Sequence, residues 1–128
     1  MHVKKDEVNG REYLMEGESK LMEIPEGEHG TIRDKLIKLD KEIKSGEYSF
    51  GNVADIGNVS IRLSNYGLFS RDPRVTLSSN NGTGKTLYPS EIKDVVQTLD
   101  DYQLVTGGNL DTTKQDDIKR ILGNYGRK

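Results

Sequence analysis

The sequence has no cysteine and no tryptophan, and only three prolines and two histidines among its 128 residues. Without cysteine there is no disulfide framework, no thiolate zinc site and no thiol nucleophile. No apolar run approaches the roughly 18 residues of a membrane span. The N-terminus shows no signal-peptide pattern, so we expect a cytoplasmic protein with no membrane partner. A chain of this length is typical of one globular unit.

The formal net charge of −2 excludes a bulk polycation, but the charge is unevenly distributed. Residues 1–30 carry 4 basic and 8 acidic side chains. Residues 58–88 carry four basic side chains against one acid, Asp72, together with three aromatic residues. The sequence therefore predicts a locally basic, aromatic-flanked stretch within a balanced chain.

The first 30 residues are predicted to form an acidic segment that is extended or folds as a hairpin. Asn9 and Gly10 favour a type I′ turn, because both central residues of that turn need a positive φ. Apolar residues follow at positions 13–15, 21, 22 and 24. We expect residues 26–30 to be a flexible acidic loop, with His29 exposed to solvent.

Residues 31–128 are predicted to form a single α+β domain, in which an antiparallel β-meander packs against about three helices. The predicted helices span residues 32–45, the stretch from Pro89 to about residue 103, and the stretch from Thr112 or Thr113 to Gly123. In the first helix, apolar residues recur at helical spacing, Thr31 is the expected N-cap and Gly46 the expected C-terminal stop.

Residues 47–88 switch to the period of two that is typical of half-buried strands, and they predict three or four strands. Tyr48 and Phe50 are assigned to the first of these strands. The expected core face carries Val59, Ile61, Leu63, Val75 and Leu77. This arrangement sends Arg62 and Arg74 to the opposite face, where we also expect Lys85.

The basic stretch supplies the candidate binding residues. The expected partner-binding residues are Arg62, Tyr66, Phe69, Arg71, Arg74, Lys85 and Tyr88. The acidic N-terminal segment is a second candidate for the contact. One interpretation is that these charges merely keep a half-exposed sheet soluble. The other is a contact surface for a protein partner with an acidic patch or for a nucleic-acid backbone.

Nothing in the sequence predicts catalysis, a metal site or a cofactor. Residues 81–86 (NGTGKT) resemble a phosphate-binding loop, but Ser79 stands where the first glycine belongs and Pro89 follows too soon for the required helix. A hairpin turn followed by a short strand explains this stretch better. His2 and His29 are expected in mobile segments. The adjacent aspartates at positions 100–101 and 116–117 are explained by solvated helix faces.

Residues 59–66 (VSIRLSNY) are similar to an x-x-I-R-L-S-N-H strand in small proteins of bacteriophages and mobile elements. One such group is a family of type II-A anti-CRISPR inhibitors. The resemblance implies a non-enzymatic inhibitor that acts in the bacterial cytoplasm. Such an inhibitor would bind an RNA-guided nuclease, as a nuclease–RNA complex, and block DNA binding or cleavage. A nucleic-acid-binding accessory protein is the alternative function.

Overall fold

A computed structural model describes residues 1–69, 71–80 and 82–107 of the chain, and these residues confirm the α+β class. They form two antiparallel sheets of three and four strands and two helices, rather than about three helices. The third predicted helix, from Thr112 or Thr113 to Gly123, lies outside the described residues. Neither described helix is long and apolar enough to cross a membrane.

The N-terminal segment folds as a three-stranded sheet in the order β1–β2–β3. Its strands are β1 (His2–Lys5), β2 (Glu12–Glu16) and β3 (Ser19–Ile24). The predicted type I′ turn is wrong, because Gly10 (φ 74°) has a positive φ and Asn9 does not. A longer connection forms instead, since the carboxylate of Asp6 accepts a hydrogen bond from the Val8 amide at 2.8 Å.

Helix α1 (His29–Ser45) begins three residues earlier than predicted, so the expected loop over residues 26–30 is too long. Glu28 rather than Thr31 is the N-cap. His29 is not in a mobile, solvated segment: it is only 6% exposed and stacks on Tyr102, with ring centroids 5.4 Å apart. The helix therefore begins at His29, where the side chain is buried against an aromatic ring, three residues before the apolar stripe begins at Ile32.

The C-terminal stop at Gly46 is confirmed, with φ 77° and its amide donating to the carbonyl of Ile43. An alanine at position 46 meets no neighbouring atom, so its cost is backbone strain alone. We expect Gly46→Ala to lower the free energy of unfolding by about 1 kcal/mol. Gly30→Ala, inside the same helix, should instead raise it by about 0.5 kcal/mol. Urea unfolding measures the free energy of unfolding of both variants, which should change in opposite directions. A loss of stability at both positions would contradict the assignment of Gly46 to the left-handed end of α1 and of Gly30 to its interior.

The four-stranded sheet confirms the predicted meander. Its strands, in sequential order, are β4 (Gly51–Ile56), β5 (Val59–Asn65), β6 (Pro73–Ser79) and β7 (Gly84–Leu87). Tyr48 and Phe50 lie just before β4 rather than within it. The strand β7 takes the place that a phosphate-binding loop would give to a helix, in agreement with the sequence interpretation.

The inner face of this sheet forms much of the core. All five residues predicted to face inward are at most 1% exposed, namely Val59, Ile61, Leu63, Val75 and Leu77. They belong to one hydrophobic cluster that also includes buried residues of β1–β3 and of both helices. The buried part of the N-terminal sheet therefore shares its core with the rest of the described chain.

A 3₁₀ turn (Pro89–Glu91) leads into α2 (Ile92–Gly107), which confirms the predicted start of the second helix. Ile92, Val95 and Leu99 are buried along one side of α2. The expected solvated face is wrong at Asp101, which is only 1% exposed and accepts a hydrogen bond from Gln97 at 3.0 Å. The two helices contact each other, and Arg33 of α1 donates a hydrogen bond to the carboxylate of Asp100. The outer face of the four-stranded sheet keeps exposed side chains, among them Asn52, Asp55, Arg62 and Thr86.

Candidate partner-binding surface

The antiparallel order gathers several candidate residues at one end of the four-stranded sheet. At this end β4 begins, β5 ends, β6 begins and β7 ends. Phe50 therefore precedes β4 there, Tyr66 follows β5, Arg74 is near the start of β6, and Tyr88 follows β7. Residues that are far apart in sequence consequently share one small region of the surface.

Arg74 lies between two tyrosine rings at this end. Its guanidinium carbon is 4.0 Å from the ring centroid of Tyr88 and 6.0 Å from that of Tyr66. Such contacts use the negative face of the aromatic ring to hold a cation. Arg74 also donates a hydrogen bond to the Asp72 carboxylate, and this bond, together with Tyr88, raises the pKa of the guanidinium. Arg74 is thereby fixed in place and remains charged.

The loop that joins β5 to β6 is closed at its base by hydrogen bonds. The side-chain oxygen of Asn65 accepts hydrogen bonds from the amides of Gly67 and Asp72, each at 3.0 Å. The Tyr66 amide donates to the Asp72 carbonyl at 2.9 Å. Three hydrogen bonds therefore set the direction in which the loop leaves the sheet.

Arg71 attaches the same loop to the residues before β4. Its guanidinium carbon is 4.9 Å from the ring centroid of Tyr48 and 5.0 Å from that of Phe50. The two rings meet edge to face, with centroids 5.5 Å apart. Within the described part of the chain, no carboxylate forms an ion pair with Arg71, whose side chain is exposed. The guanidinium is thus positioned by aromatic rings while its charge has no counter-ion there.

The described tip of this loop carries two apolar side chains in solvent. Leu68 is 87% exposed and Phe69 is 97% exposed, beside a loop base that is held by hydrogen bonds. Tyr66 and Tyr88 are also more than half exposed, at 61% and 57%. We call the region formed by Arg62, Tyr66, Leu68, Phe69, Arg71, Arg74 and Tyr88 the aromatic–arginine patch.

The expectation that Lys85 shares a face with Arg62 and Arg74 is wrong. Lys85 pairs in register with Leu77, which is buried on the inner face, and residues opposite each other in a sheet point to the same side. Its ammonium nitrogen is 3.5 Å from a carboxylate oxygen of Glu16, the last residue of β2. Lys85 therefore faces the N-terminal sheet rather than the patch.

Arg62 is on the outer face, as predicted, opposite Asn52 on one side and Thr76 on the other. It is exposed, and it has no ion-pair partner among residues 1–69, 71–80 and 82–107. Arg62 is three residues before the end of β5, so it is the member of the patch that lies on the sheet surface.

Sequence reasoning missed several residues of this region. Leu68, which is exposed and apolar, is not among the predicted residues. Asp72 is predicted only as the single acid of residues 58–88, and not as the partner of Arg74. Tyr48 and Phe50 were assigned to a strand rather than to a support for Arg71. The predicted meander contains the signal for these contacts, because its antiparallel order brings loop residues 66–72 to the end of the sheet where β4 begins.

The chain matches no protein-family model, no curated protein and no solved structure. In the part of the chain that the structure describes, no group of three His, Asp or Glu side chains is arranged to hold a metal ion. The partner-binding role of the seven residues named in the sequence analysis stays a prediction. The contacts of Arg74 and Arg71 with aromatic rings are the observations that support it.

Asn65 is the residue on which the loop base depends most. We expect Asn65→Ala to lower the free energy of unfolding by about 1–2 kcal/mol, because two backbone donors lose their acceptor. Amide hydrogen exchange should accelerate at Gly67 and Asp72. Ser64→Ala, one residue earlier, is the control and should change stability by less than about 0.5 kcal/mol. Unchanged exchange at Gly67 in the Asn65 variant would contradict the proposed role of this side chain.

Proposed function

We propose that this chain is a non-enzymatic protein that binds a macromolecular partner through the aromatic–arginine patch. The observation that carries the proposal is the exposed pair Leu68 and Phe69 at the tip of a loop whose base is closed by hydrogen bonds. Exposed large apolar side chains beside arginine and tyrosine have the composition of binding hot spots. A loop that is already ordered also loses less conformational entropy on binding.

The charge distribution favours a protein partner over a nucleic acid. Arg74 is paired with Asp72, and Lys85 faces away toward Glu16. Asp55 adds a carboxylate to the outer face of the sheet, where Ser60 and Asn52 donate hydrogen bonds to it. The excess of basic side chains over residues 58–88 is therefore partly neutralised, and it does not form the continuous basic track that a phosphate backbone requires.

The most specific form of the proposal is an inhibitor of a bacterial defence system, of the phage type. It is supported by the similarity of residues 59–66 to a strand in type II-A anti-CRISPR inhibitors. That stretch covers β5 and the first residue of the loop, so it contains Arg62 and Tyr66 of the patch. Such an inhibitor would bind an RNA-loaded nuclease stoichiometrically in the cytoplasm of the bacterial host.

A titration tests this function. An RNA-loaded type II-A nuclease is held at a fixed concentration well above the expected dissociation constant, and DNA cleavage is measured against added protein. We expect inhibition to rise linearly and to saturate at a fixed molar ratio, because the protein acts by occupying a surface. Cleavage that is unaffected at a large molar excess would contradict the anti-CRISPR form. Inhibition that proceeds with time at far below one equivalent would indicate an enzyme.

Nucleic-acid binding is the second candidate function, and one observation favours it. Tyr66, Phe69 and Tyr88 expose aromatic rings on which bases can stack. This function predicts retention of single-stranded DNA or RNA at low salt, with an affinity that falls steeply as salt is raised. Electrophoretic mobility at two salt concentrations tests it, and no retention at the lower concentration would remove it.

A further inference from the structure

We infer that the aromatic–arginine patch recognises a protein segment in which a carboxylate stands next to a large apolar side chain. This inference rests on the proposed binding function and specifies the chemistry of the partner. Two features of the patch carry it. The guanidinium of Arg71 is held by aromatic rings and has no carboxylate partner among the described residues, and Leu68 and Phe69 of the same loop have exposed side chains.

Arg71 is prepared to receive a carboxylate. Tyr48 and Phe50 hold its guanidinium through their ring faces, and these contacts consume none of its N–H donors. No carboxylate of the described residues occupies those donors. A guanidinium presents parallel N–H groups that match the two oxygens of a carboxylate. A held guanidinium also loses less side-chain entropy on binding than a mobile one.

The apolar half of the site lies within three residues of Arg71. Leu68 and Phe69 are almost fully exposed, so nearly all of their apolar surface is available to be buried by a partner. Burial of an apolar side chain of this size contributes roughly 1.5–3 kcal/mol. Because the charged and the apolar groups belong to one loop, a single short segment of a partner can meet both.

The carboxylates near the patch favour a discrete acidic side chain over a phosphate surface. Asp72 accompanies Arg74, and Glu91 accepts a hydrogen bond from the Tyr88 amide. An anionic bilayer or a nucleic-acid backbone would bring many phosphates against these carboxylates and be repelled by them. A single carboxylate directed to Arg71 avoids this repulsion.

A displayed library of random peptides, selected on the immobilised full chain, tests the inference. We expect the enriched peptides to share an Asp or Glu within a few positions of a Phe, Trp or Leu. One enriched peptide is then synthesised in its acidic form and with that acid replaced by its amide. Wild-type protein should bind the amide form about tenfold or more weakly, as expected when a charged hydrogen-bonded pair is broken.

A double-mutant cycle decides whether Arg71 is the partner of that carboxylate. In Arg71→Gln the difference between acidic and amide peptides should disappear, whereas it should persist in the control Lys41→Gln on the exposed face of α1. The double variant Leu68→Ser with Phe69→Ser should weaken both peptides by at least about tenfold. Circular dichroism and melting identify any variant that fails to fold, and Arg71→Lys then provides a milder test in which the difference should shrink.

Three results would overturn the inference. The enriched peptides could lack acidic residues, or the preference for the acidic peptide could survive unchanged in Arg71→Gln. Phosphatidylserine vesicles or a single-stranded oligonucleotide could bind more tightly than any peptide, with the same dependence on Leu68 and Phe69. None of these results decides the proposed function, because that function is tested separately by saturable inhibition of the nuclease by the wild-type protein.

Discussion

Truncation of Leu77 to alanine should lower the free energy of unfolding by about 3 kcal/mol. Leu77 is fully buried at the centre of β6, and it pairs in register with Ile61 of β5, which is also fully buried. Removal of its side chain therefore loses the transfer free energy of the deleted atoms and leaves a cavity in the core shared by both sheets. Urea unfolding followed by far-UV circular dichroism measures the loss.

Leu68→Ala is the matched control for this prediction, because the same atoms are removed from a side chain that is 87% exposed. We expect its free energy of unfolding to remain within about 0.5 kcal/mol of wild type. The contrast separates the residues that hold the fold from those available to a partner. Equal losses at positions 68 and 77 would show that the loop tip packs in the interior and would contradict the described patch.

Reversal of Arg62 and Arg74 to glutamate should weaken binding to the RNA-loaded nuclease by at least about 100-fold. Arg62 has no counter-ion among the described residues, and Arg74 is held between Tyr66 and Tyr88. The reversal changes the patch from locally basic to acidic and places a carboxylate at position 74 beside Asp72. Isothermal titration calorimetry measures this loss of affinity, and thermal melting of the same variant shows whether it is folded.

The control for this reversal is the double variant Lys35→Glu with Lys41→Glu, which changes the net charge by the same amount on exposed positions of α1. Its affinity should stay close to that of wild type. Weakening of the two variants to the same degree would mean that overall charge, rather than the patch, drives association. Wild-type affinity in the Arg62 and Arg74 variant would remove these two residues from the binding surface.

Much of the fold was predictable because burial imposes a period on the sequence. In β5 and β6 one face is in the core, so apolar and polar residues alternate strictly within each strand, at positions 59–64 and 74–78. The same argument applies to α1, where Ile32, Leu36 and Leu39 form the buried stripe. Gly46 was predictable for a different reason, since the left-handed residue that ends a helix strongly favours glycine.

The features that sequence reasoning missed depend on contacts between distant segments. The early start of α1 depends on His29 stacking against Tyr102, which lies far along the chain in α2. The face on which Lys85 lies depends on its register opposite Leu77, and a shift of one residue would reverse it. Arg71 is positioned by rings that precede β4, and composition alone cannot reveal that support.

The aromatic composition of the patch was visible in the sequence, but its charge was overestimated. The four basic side chains of residues 58–88, against one acid, predict a locally basic face. In the structure, Asp72 accompanies Arg74 and Lys85 is directed toward Glu16. The arginines of this stretch without counter-ions in the described chain are Arg62 and Arg71, and Arg71 shares its loop with the exposed side chains of Leu68 and Phe69. This combination is the physical reason for proposing a protein partner.

Amide hydrogen exchange, measured on the protein alone and mixed with the RNA-loaded nuclease, shows which of its surfaces a partner covers. We expect slower exchange in the complex at residues 65–69, at residues 71–74 and at Tyr88, with little change along the exposed face of α1. Protection confined to α1 or to residues 1–24, with none at the β5–β6 loop, would contradict the claim that the aromatic–arginine patch is the binding surface.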